Sequence, residues 1–201
     1  KTYFQLNYIP TNQGIFKNTR KLRPGSFLRI TPDGVEEHSY YSIPNRRTSP
    51  IDDDYETAKK KLRELLSASV QRRLIADVPL GCFLSGGIDS SIITGLASQF
   101  TSKLNTFSVG FSDNKYFDET DCAEIIAKRF NTNHTAFKIS SKDLLENISH
   151  TLDYLDEPFA DSSALAVDIL SKLTRTKVTV ALSGDGADEL FSGYNKHSAH
   201  L

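Results

Sequence analysis

Two stretches of this chain hold residue types suited to chemistry on an anion. Phe83 to Ser91 reads FLSGGIDSS and Val180 to Tyr194 reads VALSGDGADELFSGY, so each runs from apolar residues into Leu-Ser-Gly and then into acids. In the first, Gly86 and Gly87 let the backbone take positive φ and let an anion approach amide N–H groups with no Cβ in the way. Ser85, Ser90 and Ser91 add hydroxyl donors, and a helix starting near Asp89 or Ser90 adds unpaired N–H groups and partial positive charge. That combination suits a pyrophosphate-like group. Asp89 would repel such a ligand unless a divalent cation lay between them, and Mg2+ takes one or two carboxylates together with phosphate oxygens. Asp185, Asp188 and Glu189 offer further carboxylates from the second stretch, so the acids argue for Mg2+ more strongly than the glycines alone.

The plainer alternative is a tight turn in which Asp89 or Ser90 caps a helix, worth about 1 kcal/mol. A second Ser-Gly-Asp-Gly turn after another apolar run disfavours it. No GxxxxGK[ST] occurs and no GxGxxG follows the first strand, which disfavours a P-loop kinase and a nicotinamide dehydrogenase.

Turns of this kind need strands to aim them. After a linker, IPNRRTSP, short apolar runs alternate with helical ones: GCFLS, a helix from about Ser90 to Phe100, NTFSVGF, a helix near Glu119 to Phe130, and HTAFKI. Helices near Lys142 to Leu155 and Ser162 to Leu173 precede the last strand, KVTVALS. Before them, Ser49 and Pro50 open a helix with apolar positions from Tyr55 to Leu74 and with Asp52 to Asp54 at its positive end. This order predicts an α/β fold, an open parallel sheet with helices on both faces. Ligands of such sheets bind outside the strand carboxyl ends where the chain order reverses. If the first and fourth strands flank that reversal, both Ser-Gly turns face one crevice. Upstream, SFLRI and VEEHSYY on either side of TPDG predict a small β-hairpin. The expected domains are residues 1–44 and 45–201.

Composition sets bounds. Across 201 residues, 24 Lys and Arg against 25 Asp and Glu leave a net charge of −1, so charge favours neither nucleic acid nor membrane as a partner. No signal segment or membrane-length apolar run is present, and a cytoplasmic location is expected. Cys82 and Cys122 lack metal or redox spacing and are expected to be buried thiols. His134, His150, His197 and His200 are expected to be structural or surface residues. KKKLRELL and QRR read as a solvated helix face, Asp156 and Glu157 as turn residues that orient the next helix, and Asp118 and Glu119 as a helix start.

SGGIDSS resembles the pyrophosphate loop of the N-type ATP pyrophosphatases, within the adenine nucleotide alpha hydrolase-like fold. Together with TFSVGF, LDEPFADSSA and VALSGDGADELFSGY, it makes residues 50 to 201 similar to the synthetase domain of glutamine-hydrolysing asparagine synthetases. YIPTNQGIFKNTRKLRPGSFLRI with its hairpin is similar to the last strands of that family's Ntn-type glutaminase domain. The family's glutaminase starts with a cysteine nucleophile, whereas this chain opens with Lys1; the resemblance therefore implies no glutamine hydrolysis by this chain. It also implies that the chain holds the nucleotide half of a larger enzyme and is inactive alone.

By the same resemblance, Ser85, Gly86, Gly87, Asp89, Ser90 and Ser91 bind the pyrophosphate of ATP, and Asp89 and Asp188 hold Mg2+. Phe83, Leu84, Val109, Ser183 and Gly184 lie where the family contacts ATP, largely through backbone, and Asp185 matches an acid implicated in acyl transfer. Ala187 and Ser192 stand where the family often has glycine. The implied reaction makes asparagine from aspartate, ATP and glutamine-derived ammonia through a β-aspartyl-AMP, with room for a homodimer in the full-length enzyme. Related β-lactam synthetases or peptide cyclases with another acceptor remain open, as does a non-catalytic nucleotide-binding module.

Overall fold

The computed structural model describes residues 2–10, 13–43 and 52–194. They fall into two compact units, Lys1–Asp53 with His150–Ser162, and Asp54–Ser149 with Ser163–Leu201. The linker residues 44–50, including the Ser49–Pro50 helix opening, and the tail histidines His197 and His200 lie outside the described residues.

The first unit holds α1 (Thr2–Leu6), β1 (Ser26–Thr31) and β2 (Gly34–Ser39). β1 and β2 pair antiparallel from Ser26↔Ser39 to Thr31↔Gly34, with Pro32 and Asp33 as the turn that TPDG predicts. Ile30 and Val35 stay 74% and 61% exposed, so the ladder and the Arg23–Glu37 ion pair at 2.7 Å hold the hairpin rather than a core. α1 has no sequence signal: a single helical turn is too short for periodicity to show. The DEPFAD turn belongs to this unit. Glu157 accepts from Lys21, whose ammonium also donates to Ile9 O at 2.6 Å, and Ala160 N donates to Asn7 O at 2.9 Å.

The second unit begins with α2 (Tyr55–Arg73). Its start falls later than Ser49 because the Asp54 carboxylate accepts from Thr57 N at 2.8 Å and caps the helix there, leaving Asp52 and Asp53 outside it. β3 (Leu80–Phe83), α3 (Ile88–Ala97), β4 (Asn105–Phe111), α4 (Thr120–Arg129), β5 (Asn133–Ile139), α5 (Ser141–Tyr154, which passes into the first unit at His150), α6 (Ser163–Thr174), β6 (Val180–Leu182) and α7 (Ala187–Phe191) follow. The sheet order is β5-β4-β3-β6, all parallel, so the chain grows outward from β3 on one side and returns with β6 on the other.

Alternation along the strands sorts side chains between two helical layers. Cys82 packs with Val70, Leu96 and Ala97 from α2 and α3, and Leu84 with Ala123 and Ala127 from α4. On the other face Phe83, Phe107, Val109 and Phe137 meet Leu170 of α6 and Val178. Phe107 is 1% exposed, and burying such a ring contributes about 1.5–3 kcal/mol. The fold is thus the α/β arrangement the sequence predicts, with helices on both faces.

His134 is a sheet residue: its Nδ1 lies 2.9 Å from the buried Thr106 hydroxyl and its Nε2 3.2 Å from Ser108 Oγ. Burial holds its pKa below the ordinary imidazole value. Burial also pushes the Cys82 thiol up to about 12. Cys122 departs from expectation and is exposed, because the inward positions of α4 are taken by Ala123 and Ala127.

Candidate functional site

Pairing of β3 with both β4 and β6 sets the carboxyl ends of β3 and β6 side by side, as the sequence argument requires. Leu84 extends β3 by one more bond, its N–H donating to Phe107 O at 2.8 Å, and its side chain is 1% exposed. The Ser-Gly-Gly turn therefore leaves from a deeply fixed point. Gly86 has φ +87, and a Cβ there would meet Cys122 Cβ at 2.6 Å and Ala123 N at 2.7 Å, so both conformation and space demand glycine.

Gly87 differs from expectation, with φ −66 and ψ 164; it is the N-cap of α3, which starts at Ile88 rather than near Asp89 or Ser90. No side chain caps the helix. The hydroxyls bind one another and the turn: Ser85 N donates to Ser90 Oγ at 3.2 Å, Ser85 Oγ and Ser90 Oγ lie 3.0 Å apart, Gly87 N donates to Ser85 Oγ at 3.2 Å, and Ser91 Oγ donates to Gly87 O at 2.6 Å. Asp89 and Ser90 are thus not caps, and the plain helix-cap alternative loses its residue.

The second turn abuts the first. A Cβ on Gly184 would lie 2.9 Å from Asp89 Cβ and 2.9 Å from Ser90 N, so Gly184 backs directly onto the start of α3. Ser183 Oγ donates to Asp185 Oδ2 at 2.9 Å, and Asp185 is exposed. Gly186 takes φ +90 before α7, which ends at Ser192 with φ 59. The Asp188 carboxylate is turned toward Gly193, where a Cβ would fall 1.9 Å from Oδ1, and Tyr194 Oη donates to Glu189 Oε1 at 2.5 Å.

The structure therefore brings together Ser85 to Ser91 with Gly184 and its neighbours Ser183 and Asp185. Phe83 and Val109 direct their side chains into the core beside Phe107, and Leu84 enters the opposite core, which leaves backbone groups for any ligand contact. Among the described residues no group of three or more His, Cys, Asp or Glu side chains converges on one point. Asp89 lies in the first turn of α3 and Asp188 in the first turn of α7 with its carboxylate toward Gly193; both are hard oxygen donors of the type Mg2+ takes.

One charged cluster is not legible as a site in the sequence. Asp118 accepts from Lys138 Nζ, from Thr120 Oγ1 at 2.6 Å and from Thr120 N at 3.1 Å. Lys138 and Thr120 hold its pKa down to about 2. The available signal is Gly110, a glycine inside the apolar strand NTFSVGF, which marks close approach of another group. A Cβ there would lie 2.3 Å from Asp118 Oδ1.

Residues 61–201 match the asparagine synthase family. The chain belongs to that family. It is 40% identical over 203 residues to a putative glutamine-hydrolysing asparagine synthetase 2 of Methanocaldococcus jannaschii, which covers 97% of this chain and 38% of the relative. It is 36% identical to asparagine synthetase 1 of Bacillus subtilis, covering 96% of this chain and 30% of that protein. This asparagine synthase family chain thus spans about a third of the length of those curated relatives. Among solved structures, NMN synthetase of Francisella tularensis aligns with a TM-score of 0.45 at 21% identity, over 71% of this chain and 59% of that one. An NH3-dependent NAD synthetase of Campylobacter jejuni aligns with a TM-score of 0.43 at 14% identity, over 71% and 62%.

Proposed function

We propose that the paired turns bind the phosphates of ATP and that the full-length protein is an ATP-dependent, AMP-forming amide ligase making asparagine from aspartate and glutamine-derived ammonia. The observation that carries this reading is the close approach of Gly184 to Asp89 and Ser90 N, which sets the two Ser-Gly turns against each other at the carboxyl ends of β3 and β6. The family membership and the names of the relatives support the choice of acceptor.

The chemistry has a physical need. The side-chain carboxylate of aspartate cannot lose oxide to ammonia directly. One of its oxygens attacks the α-phosphorus of ATP, the bond from that phosphorus to the bridging oxygen breaks, and pyrophosphate leaves. Ammonia then adds to the activated carbonyl carbon, loses a proton, and AMP departs. The amide of Gly86, the uncapped start of α3 and, on exchanging their bonds within the turn for phosphate oxygens, the Gly87 amide and the hydroxyls of Ser85, Ser90 and Ser91 stabilise charge growing on the pyrophosphate. Asp89 and Asp188 would hold Mg2+, which supplies positive charge against the same oxygens. Asp185, exposed and accepting from Ser183 Oγ, would take the ammonia proton in the second step.

The test is AMP and asparagine formation by the full-length protein supplied with aspartate, ATP and ammonia. Asp89→Ala is expected to lower the rate about 100-fold or more, in the range for loss of one preorganised electrostatic group, and magnesium removal to abolish turnover. Formation of neither AMP nor asparagine, with ATP bound, would move the acceptor to another carboxylate. ATP binding indifferent to Asp89→Ala and to magnesium would leave a non-catalytic nucleotide module.

A further inference from the structure

The cluster around Asp118 reaches the anion turn through α4. Lys138 in β5 is the register partner of Gly110 in β4. Its ammonium spans to the Asp118 carboxylate and to Thr120 Oγ1 at 2.7 Å. Because Gly110 has no side chain, Asp118 Oδ1 and Thr120 Cγ2 sit where its Cβ would be, at 2.3 and 2.6 Å from that point. Thr120 is the first residue of α4 and is 5% exposed, so this contact fixes where the helix begins. Two residues further, Cys122 Cβ and Ala123 N form the wall against Gly86. The first turn of α4 is thus held to β4 and β5 on one side and supports the positive-φ glycine on the other.

We propose that Asp118 and Lys138 are positioning residues for the phosphate-binding turn: by clamping the start of α4 to the sheet they hold Gly86, and with it the amides of the turn, at the place the departing pyrophosphate requires. The proposal rests on the reading of Ser85 to Ser91 as a pyrophosphate site. A surface ion pair alone contributes little to stability, so a purely structural role predicts a small and unspecific change. A positioning role predicts a change confined to the phosphate end of the ligand, since small misplacement of binding groups is costly in rate.

The experiment measures binding of inorganic pyrophosphate with magnesium, and separately of adenosine, to the full-length protein and its Lys138→Met, Lys138→Arg and Asp118→Asn variants, with thermal midpoints alongside. Lys138→Met is expected to weaken pyrophosphate binding about tenfold and to lower kcat more than it raises KM for aspartate. Adenosine binding is expected to change by less than about twofold, and Lys138→Arg to restore most of the pyrophosphate affinity. If Lys138→Met does not fold, Asp118→Asn, which keeps the shape, carries the same contrast. Equal losses for both ligands, or a folded variant with unchanged pyrophosphate binding, overturn the proposal. Ser85→Ala separates the two levels. If it weakens pyrophosphate binding while the clamp variants do not, only the clamp fails; if the unaltered protein binds no pyrophosphate, the reading beneath it fails as well.

Discussion

The two Leu-Ser-Gly turns begin alike and are supported differently. The turn after β3 rises from a fully buried Leu84, rests against α4 and feeds a ten-residue helix whose Thr94 to Ala97 are buried. The turn after β6 follows a three-residue strand, feeds the five-residue α7 with no buried residue, and has a left-handed residue at each end of that helix, Gly186 and Ser192. The difference separates two tasks. The first turn has a geometry the core dictates, while the second carries its acids on a lightly supported segment.

Substituting the two positive-φ glycines would break this comparison most sharply. Gly86→Ala must bear both left-handed strain and overlap with α4, and is expected to lower stability by about 3 kcal/mol in denaturant unfolding. Gly186→Ala meets nothing within 4 Å, so only conformational strain remains, about 1 kcal/mol. Equal effects would mean that the first turn is no better supported than the second. Ser192→Gly works in the opposite direction: relieving φ 59 at a non-glycine residue is expected to stabilise the protein by about 0.5–1 kcal/mol, read as a rise in thermal midpoint.

The smallest expected effect is on pH dependence. The folded pKa of Asp118, about 2, lies below its unfolded value of about 3.9. Its contribution is therefore complete above about pH 4 and is lost as pH falls through about 2. Asp118→Asn is expected to flatten the acid limb of a stability-against-pH profile without altering its shape near neutrality. An unchanged acid limb would show that the support of α4 does not depend on the charge.

Legibility in the sequence followed how local each feature is. The four parallel strands were readable because apolar runs with turn signals report burial directly, and the shared Ser-Gly ending singled out β3 and β6. Their adjacency was an inference from fold rules, since no spacing encodes which strands pair. Helix starts were less legible. α2 waits for Asp54, and α3 begins at Ile88 because Ser90 and Ser91 turn back on Gly87 O instead of capping. The clamp was invisible because Gly110, Asp118 and Lys138 are separated in sequence and meet only once β4 and β5 pair. The exposure of Cys122 was hidden for a related reason: its helix is shared between the sheet and the turn, and only assembly decides which positions face inward.

That exposed sulfur gives the molecule a built-in reporter. Of the chain's two thiols, Cys82 is sealed in the core with a pKa of about 12, so a thiol-directed dye should choose Cys122. Its β-carbon packs against Gly86, so such a label would report on changes at that turn with no engineered cysteine.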